Sequence, residues 1–466
     1  MTDSARENCG IVGIYAPGED VAQLAFFGLF ALQHRGQESA GIATSDGQRL
    51  RVHVNMGLVS QVFREEDLER LSGHMAIGHT RYSTTGTSQL KNAQPILVDG
   101  PHGPLALGHN GNLINALELR QELAEWGCAF QSSTDSEVIA HLLSQSPGKD
   151  WGERIGATVR RLQGAYCLVV LTPDSIYGIR DPMGVRPLCI GRLNHQGWVL
   201  ASETCALDHL GAEFVREVAP GEAVRLSQNG VETVHRSGEE GKRALCLFEY
   251  IYLARPDSTL SGRLVYSARY AMGRELAREH PVDADVVIGV PDSALAAAAG
   301  YAEESSIPYR DGLIKNRYVG RTFIEPDQRI RDLGVRLKFN PLREVLEGQR
   351  VVLVDDSIVR GTTTPHVVGL LRKAGAREVH LRVCAPPIRH PCFFGVDMGA
   401  RRDLLAANRT IPEIRARTGA DTLGYLSMEG LMRAVGLGDQ GFCGACFTGN
   451  YPVPVQLEMD KLALEG

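Results

Sequence analysis

The sequence predicts two successive domains, a layered α+β domain followed by an α/β domain built on a parallel sheet. Three observations carry this. About the first 230 residues hold many short strand patterns separated by glycine-rich turns, with few helical ones. A polar segment, HRSGEEGKR at 235–243, then interrupts the pattern. Beyond it, near-continuous apolar strands alternate with loops and helical stretches, as in a parallel sheet covered by helices.

In chain order, CGIVGIYA (9–16), LALGHNGNL (105–113), AYCLVVL (165–171) and SIYGIRD (175–181) read as strands. Gln23–Leu32 carries apolar residues at helical spacing. Ser136–Leu143 is a second helix, with Thr134-Asp135-Ser136 offering its cap. After the polar segment, Ser267–Ala277 reads as a helix, DVVIGV (285–290) as a strand and Ser293–Ala299 as a helix of small residues. RVVLVDDS (350–357) is a strand, IVRGTTT (358–364) a loop, His366–Ala374 a helix and REVHLRVCA (377–385) a strand. A last helix lies near Met428–Val435, and neither an internal repeat nor a low-complexity tract is present.

A chain of 466 residues can bury two cores of ordinary size. Its 51 glycines suit tight turns and loops that cradle phosphate. A net charge of -6 argues against a non-specific nucleic-acid binder, so the local basic stretch Arg317–Arg321 fits a small anion better than a polymer. No run approaches 18 apolar residues, and the start MTDSARENCG lacks the apolar core of a signal peptide. The expectation is a cytoplasmic protein, with no membrane partner, whose ten cysteines do not form a disulfide framework.

Three patterns carry chemistry. Cys9 opens a strand; taken alone, a cysteine there is more often a buried structural residue than a nucleophile. VVLVDDSIVRGTTT (351–364) delivers Asp355 and Asp356 to the end of an apolar strand, then turns through Arg360, Gly361 and three threonines into a helix. Loop N–H groups, threonine hydroxyls and the helix N-terminus make an anion nest, and the carboxylates suit ribose hydroxyls or magnesium. Cys443 and Cys446 form a CxxC pair, which on spacing alone fits zinc, redox chemistry or chance.

The strings CGIVGIY (9–15), LQHRGQESAGI (32–42), GHTRYST (78–84), GHNGNL (108–113) and STDSE (133–137), in this order, resemble the amidophosphoribosyltransferase family. The likeness extends from Cys9 to about Pro454 and includes the 351–364 motif. It implies an N-terminal-nucleophile glutaminase domain of layered antiparallel sheets with helices over 9–235, after a cleaved leader at 1–8. It implies an α/β type I phosphoribosyltransferase domain over 245–466. Removal of Met1–Asn8 would give Cys9 a free α-amine, whose ordinary pKa near 8 lets it take the thiol proton. The resemblance assigns the oxyanion of the thioester-forming step to the Asn110 side chain and the Gly111 N–H. It assigns the glutamine α-carboxylate to Arg81 and the α-ammonium to Asp135.

In the second domain the resemblance gives Mg2+ to Ser293, Asp355 and Asp356, and the 5-phosphate of phosphoribosylpyrophosphate to Thr362, Thr363 and Thr364 beside Arg360 and Gly361. Lys315, Arg317 and Arg321 in KNRYVGRTFI (315–324) would face pyrophosphate in a flexible loop. The iron–sulfur branch of the family holds a 4Fe-4S cluster on four cysteines, here matched by Cys246, Cys392, Cys443 and Cys446. Four thiolates fit zinc equally well on chemical grounds; the resemblance selects iron, in a structural role. Cys128, Cys167, Cys189, Cys205 and Cys384 have no matched role and are expected in the core. The implied reaction makes 5-phosphoribosylamine, the committed step of purine synthesis, from glutamine-derived ammonia delivered through a transient channel. A homotetramer inhibited by purine nucleotides is implied as well. The alternative is a phosphoribosylpyrophosphate-sensing regulator without synthase activity, which the intact Cys9 set and the acidic balance disfavour.

Overall fold

The computed structural model of the chain describes residues 9–83, 86–194, 196–237, 243–316, 338–438, 441–455 and 464. The first domain is built on two antiparallel sheets. The seven strands of one run in the order Glu213–Glu217, Cys189–Leu193, Gly197–Ala201, Gly10–Tyr15, Met75–Arg81, Ser39–Ser45, Leu50–Met56. The six of the other run Gly230–Arg236, Glu222–Ser227, Ile176–Arg180, Gly164–Leu171, Gly103–Leu113, Ile96–Gly100.

Side-chain alternation explains the layering. Along Gly10–Tyr15, Ile11 and Tyr15 join an apolar core between the sheets with Ile77, Cys167, Val169 and Leu200. Val12 and Ile14 point the other way, to Ala22, Ala25 and Leu29 of helix Val21–Ala31. The strand is buried on both faces and so reads as a continuous apolar run. Helices Ala116–Glu125, Asp135–Gln145 and Trp151–Val159 cover the outer face of the six-stranded sheet, giving the order helix, sheet, sheet, helix.

The expected first helix begins two residues before Gln23, because the Asp20 side chain caps it by accepting from the Gln23 N–H at 3.0 Å. The cap read from the sequence at Thr134 is present: its hydroxyl accepts from the Glu137 N–H at 3.3 Å.

The second domain centres on a parallel sheet in the order Val286–Gly289, Arg350–Asp355, Glu378–Val383, Thr422–Tyr425. Helix Val265–Glu279 covers the expected 267–277 and extends beyond it at both ends. The helix expected over Ser293–Ala299 instead runs Leu295–Ser305, leaving Ser293 in the turn before it. Helix Met428–Val435 stands where expected.

Two features were not read from the sequence. Glu249–Leu253 forms a π-helical turn just after the short strand Leu245–Cys246. Leu464, near the chain end, is buried in the first domain's apolar cluster with Leu113, Leu119 and Leu162. Of the five cysteines without a matched role, Cys167, Cys189, Cys205 and Cys384 are buried. Cys128 is not; it is only half-buried, at the edge of the first domain's core. Among the described residues no helix is long and apolar enough to cross a membrane.

Candidate active site

The first site lies at the end of strand Met75–Arg81 of one sheet, against strand Gly103–Leu113 of the other. Gly10 pairs with Thr80, so Cys9 stands beside the end of strand Met75–Arg81. The Cys9 thiol donates to the Tyr82 carbonyl at 3.4 Å. Burial pushes this thiol up to about 11, against the pull of that hydrogen bond and of Arg81. Cys9, Arg81, Tyr82, Gln94, His109, Gly111, Thr134, Asp135 and Ser136 line one narrow cleft. The structure therefore brings together Cys9, Arg81, Gly111 and Asp135 of the expected set.

Asn110 neighbours Gly111 on strand Gly103–Leu113 and is wholly buried. Among the described residues, both polar atoms of its side-chain amide lack a hydrogen-bond partner. An orphaned buried amide is costly in a native core. It is explained if its N–H is held ready for a developing oxyanion. Gly111 has φ +153, and a Cβ there would meet the Ala165 carbonyl oxygen at 2.0 Å, so the strand needs glycine at this point. Asp135 opens helix Asp135–Gln145 and accepts from the Leu113 N–H at 3.0 Å, which fixes its carboxylate to strand Gly103–Leu113. The buried Arg81 guanidinium donates to the Thr87 carbonyl at 3.1 Å.

Sequence reading missed the residues behind this cleft. Gln94 accepts from the His109 N–H at 2.8 Å and donates to the Ser136 hydroxyl at 2.9 Å. His79 lies 3.0 Å from the His109 carbonyl, and burial holds it neutral, down to about 3. His109 stands inside the quoted GHNGNL string, so the signal was present; Gln94 reaches the site only through the fold.

The second site lies at the carboxyl ends of parallel strands, where open α/β sheets bind ligands. Strand Arg350–Asp355 delivers Asp355, followed by Asp356, and the neighbouring strand Val286–Gly289 leads into Asp292 and Ser293. The Ser293 hydroxyl donates to Asp356, and the Ser357 hydroxyl donates to the same carboxylate at 2.5 Å. Burial raises the Asp356 carboxyl, opposed by these hydroxyls. Gly361 has φ +65, and a Cβ would meet the Leu405 side chain at 2.3 Å, so the loop needs glycine there. Thr362 and Thr363 lead into helix Thr364–Lys373, as the nest requires. Arg360 sits 4.0 Å from Asp397. Lys315 ends strand Leu313–Lys315 and donates to Asp292 at 2.6 Å. Arg317 and Arg321 lie outside the described residues.

Cys246 and Cys443 face each other across a short parallel ladder, Leu245–Cys246 on Phe442–Cys443. Cys446 follows in helix Ala445–Thr448. Burial raises the Cys446 thiol, and Cys246, Cys392 and Cys443 raise it further, so all four cysteines share one neighbourhood. Among the described residues no three His, Cys, Asp or Glu side chains converge closely enough to hold a single ion.

Fold and sites together define a glutamine amidotransferase domain joined to a phosphoribosyltransferase domain. The model of the glutamine amidotransferase domain matches residues 79–209 and that of the phosphoribosyl transferase domain residues 267–391. The chain is 51% identical over 470 residues to an amidophosphoribosyltransferase of Synechococcus elongatus, covering 99% of this chain and 95% of the relative. It is 52% identical over 453 residues to one of Archaeoglobus fulgidus, covering 96% and 98%. The solved glutamine phosphoribosylpyrophosphate amidotransferase of B. subtilis, in complex with ADP and GMP, superposes with a TM-score of 0.91 at 46% identity, covering 98% of this chain and 100% of that one. A second solved structure, described as the allosteric regulatory enzyme of purine biosynthesis, gives 0.91 at 47% identity, covering 98% of each chain. The chain belongs to the amidophosphoribosyltransferase family and is a glutamine-dependent pentosyl-transferring enzyme. The sensor alternative finds no support in these relatives.

Proposed function

We infer that this enzyme makes 5-phosphoribosylamine from glutamine and phosphoribosylpyrophosphate, the first committed step of purine synthesis. The observation that carries the reading is the pairing, in one chain, of the Cys9 cleft with the Asp355–Asp356 strand end. In our reading Met1–Asn8 are removed, and the freed α-amine of Cys9 takes the thiol proton. The sulfur attacks the glutamine side-chain carbonyl, and the Asn110 amide and Gly111 N–H receive the oxyanion. Arg81 and Asp135 hold the two ends of the amino acid. The α-amine then protonates the departing ammonia, and water releases glutamate from the thioester.

At the second site Thr362, Thr363 and Thr364 bind the 5-phosphate, with Arg360 and Gly361 shaping the loop. Lys315, with Arg317 and Arg321, faces the pyrophosphate. Ammonia attacks the ribose C1 and pyrophosphate leaves. The adjoining oxygens of Ser293 and Asp356, with Asp355 next in the chain, fit magnesium, a hard cation. Bound there, it supplies positive charge to the leaving pyrophosphate.

Cys246, Cys392, Cys443 and Cys446 would hold a 4Fe-4S cluster. The shared neighbourhood of the four thiols supports this reading. Such a cluster would serve a structural role, adding to the backbone ladder that already joins Phe442–Cys443 to Leu245–Cys246. We further propose domains at 9–235 and 245–466. The first domain's last sheet strand ends at Arg236, in support of that division, although Leu464 packs back on the first domain. A cytoplasmic homotetramer inhibited by purine nucleotides completes the reading. The ADP and GMP of the B. subtilis relative support the inhibition.

The test is glutamate release from glutamine, measured anaerobically with Mg2+, with and without phosphoribosylpyrophosphate. Strong stimulation is the expected result. Unstimulated release would leave a glutaminase with another acceptor, and no release would remove the reading.

A further inference from the structure

A carboxylate of the second domain reaches into the first domain's catalytic centre. Arg35 is 1% exposed, and the side chains of Glu203 and Glu249 are 0% exposed. The Arg35 Nε donates to the carbonyl of Cys9 at 3.1 Å. Its Nη1 and Nη2 donate to the two oxygens of Glu249 at 3.1 and 3.0 Å, a bidentate pair, while Nη1 also donates to Glu203 at 2.5 Å. Burial opposes the Arg35 charge, but Glu249 and Glu203 more than offset it. Arg186 of the first domain donates to Glu249 at 3.1 Å from the other side. The backbone that carries Glu249 is fixed in turn: Arg269 donates to the carbonyls of Tyr250 and Ala254 at 2.8 and 2.7 Å.

We propose that Glu249 is a positioning residue for glutamine hydrolysis, acting through Arg35 on Cys9. The proposal rests on the reading of Cys9 as the nucleophile. A residue that begins a mature chain has no preceding residue to orient it, and chain ends fray unless tied. Holding the Cys9 carbonyl fixes rotation about its Cα–C bond. That rotation sets where the α-amine and the thiol point. Arg35 can hold the carbonyl only while its own fork is held, and Glu249 supplies two of the acceptors. None of these groups lines the cleft with Arg81 and Asp135, so their effect falls on the chemical step and not on glutamine affinity.

The test uses the full mature enzyme, with Cys9 confirmed by mass as its first residue. In Glu249→Gln, kcat for glutamate release at saturating phosphoribosylpyrophosphate is expected to fall about tenfold or more, with KM for glutamine changed less than about threefold. Synthesis from ammonium, which bypasses the first site, is expected to stay within about twofold, and Glu249→Asp to recover part of the glutamine rate. A glutamine kcat within about twofold of the parent would overturn the proposal, as would a rise in KM with unchanged kcat. If Glu249→Gln loses both activities or fails to fold, Arg35→Lys decides, since lysine cannot hold the carbonyl and both carboxylates. A selective loss of glutamine kcat supports the proposal, and no loss overturns it. Cys9→Ser separates the two readings. Retained glutamine use in Cys9→Ser removes the nucleophile assignment. Its loss there, beside full activity in Glu249→Gln, removes only the role of Glu249.

Discussion

A Cβ added at Gly395 would lie 3.0 Å from the carbonyl carbon and oxygen of Gly111, so the two backbones touch across the domain boundary. Next to them, the Asn112 side chain donates to the Phe393 carbonyl at 3.1 Å. The segment just after Cys392 therefore buttresses strand Gly103–Leu113, which bears Asn110 and Gly111.

Gly395→Ala should damage glutamine chemistry selectively. Gly395 has φ +101, which an alanine adopts only with strain, and the added methyl would press on Gly111. The glutamine-dependent rate should fall about tenfold or more, while the ammonium-dependent rate stays within about twofold. Steady-state rates with each nitrogen source check this, and equal losses would mean the contact matters only for folding.

The pH dependence of glutamine hydrolysis should follow the α-amine and not the thiol. Burial pushes the Cys9 thiol up to about 11, so at pH 8 only about one thiol in a thousand would ionise by itself. If solvent removed the proton, the rate would climb about tenfold per pH unit towards 11. Transfer to the α-amine instead predicts a rise that levels near pH 8. A pH–rate profile of kcat/KM between pH 6 and 10 distinguishes the two.

His79 should make the protein lose stability as acid is added. In the folded protein it stays neutral down to about 3, because burial disfavours its charge. The unfolded histidine takes a proton below about 6.5. Below that value the unfolded state binds more protons, so stability is present at higher pH and is lost as pH falls. The expected slope is about 1.4 kcal/mol per pH unit from this residue. Because the unfolded histidine is only partly protonated near 6.5, denaturant unfolding at pH 7.0 and 5.5 should show about 1.3 kcal/mol less loss in His79→Gln than in the parent. Equal losses would reassign the acid sensitivity to other groups.

Removing one cluster ligand should unfold part of the second domain. Anaerobically purified enzyme is expected to carry about four irons and four sulfides per chain. Cys443→Ser should lose them, together with secondary structure and the ammonium-dependent activity. Zinc without sulfide in the parent would change the assigned metal. Full activity and an unchanged melting curve without any metal would falsify the structural role.

Local pattern determined much of this protein. Alternating and continuous apolar runs specified the strands at 9–16, 105–113 and 350–357, because the β period of two is written residue by residue. The Asp355–Asp356 string was legible because its residues are adjacent at the end of an apolar strand, whereas Cys9, Asn110 and Gly111, far apart in sequence, were assigned only through the family resemblance. What only the tertiary structure decided are the contacts between distant segments. Glu249 meets Arg35 across 214 positions, and Asn112 meets Phe393 across 281. No periodicity encodes such pairs. They form because two independently patterned domains dock, and each buried charge must then find a partner from the other side.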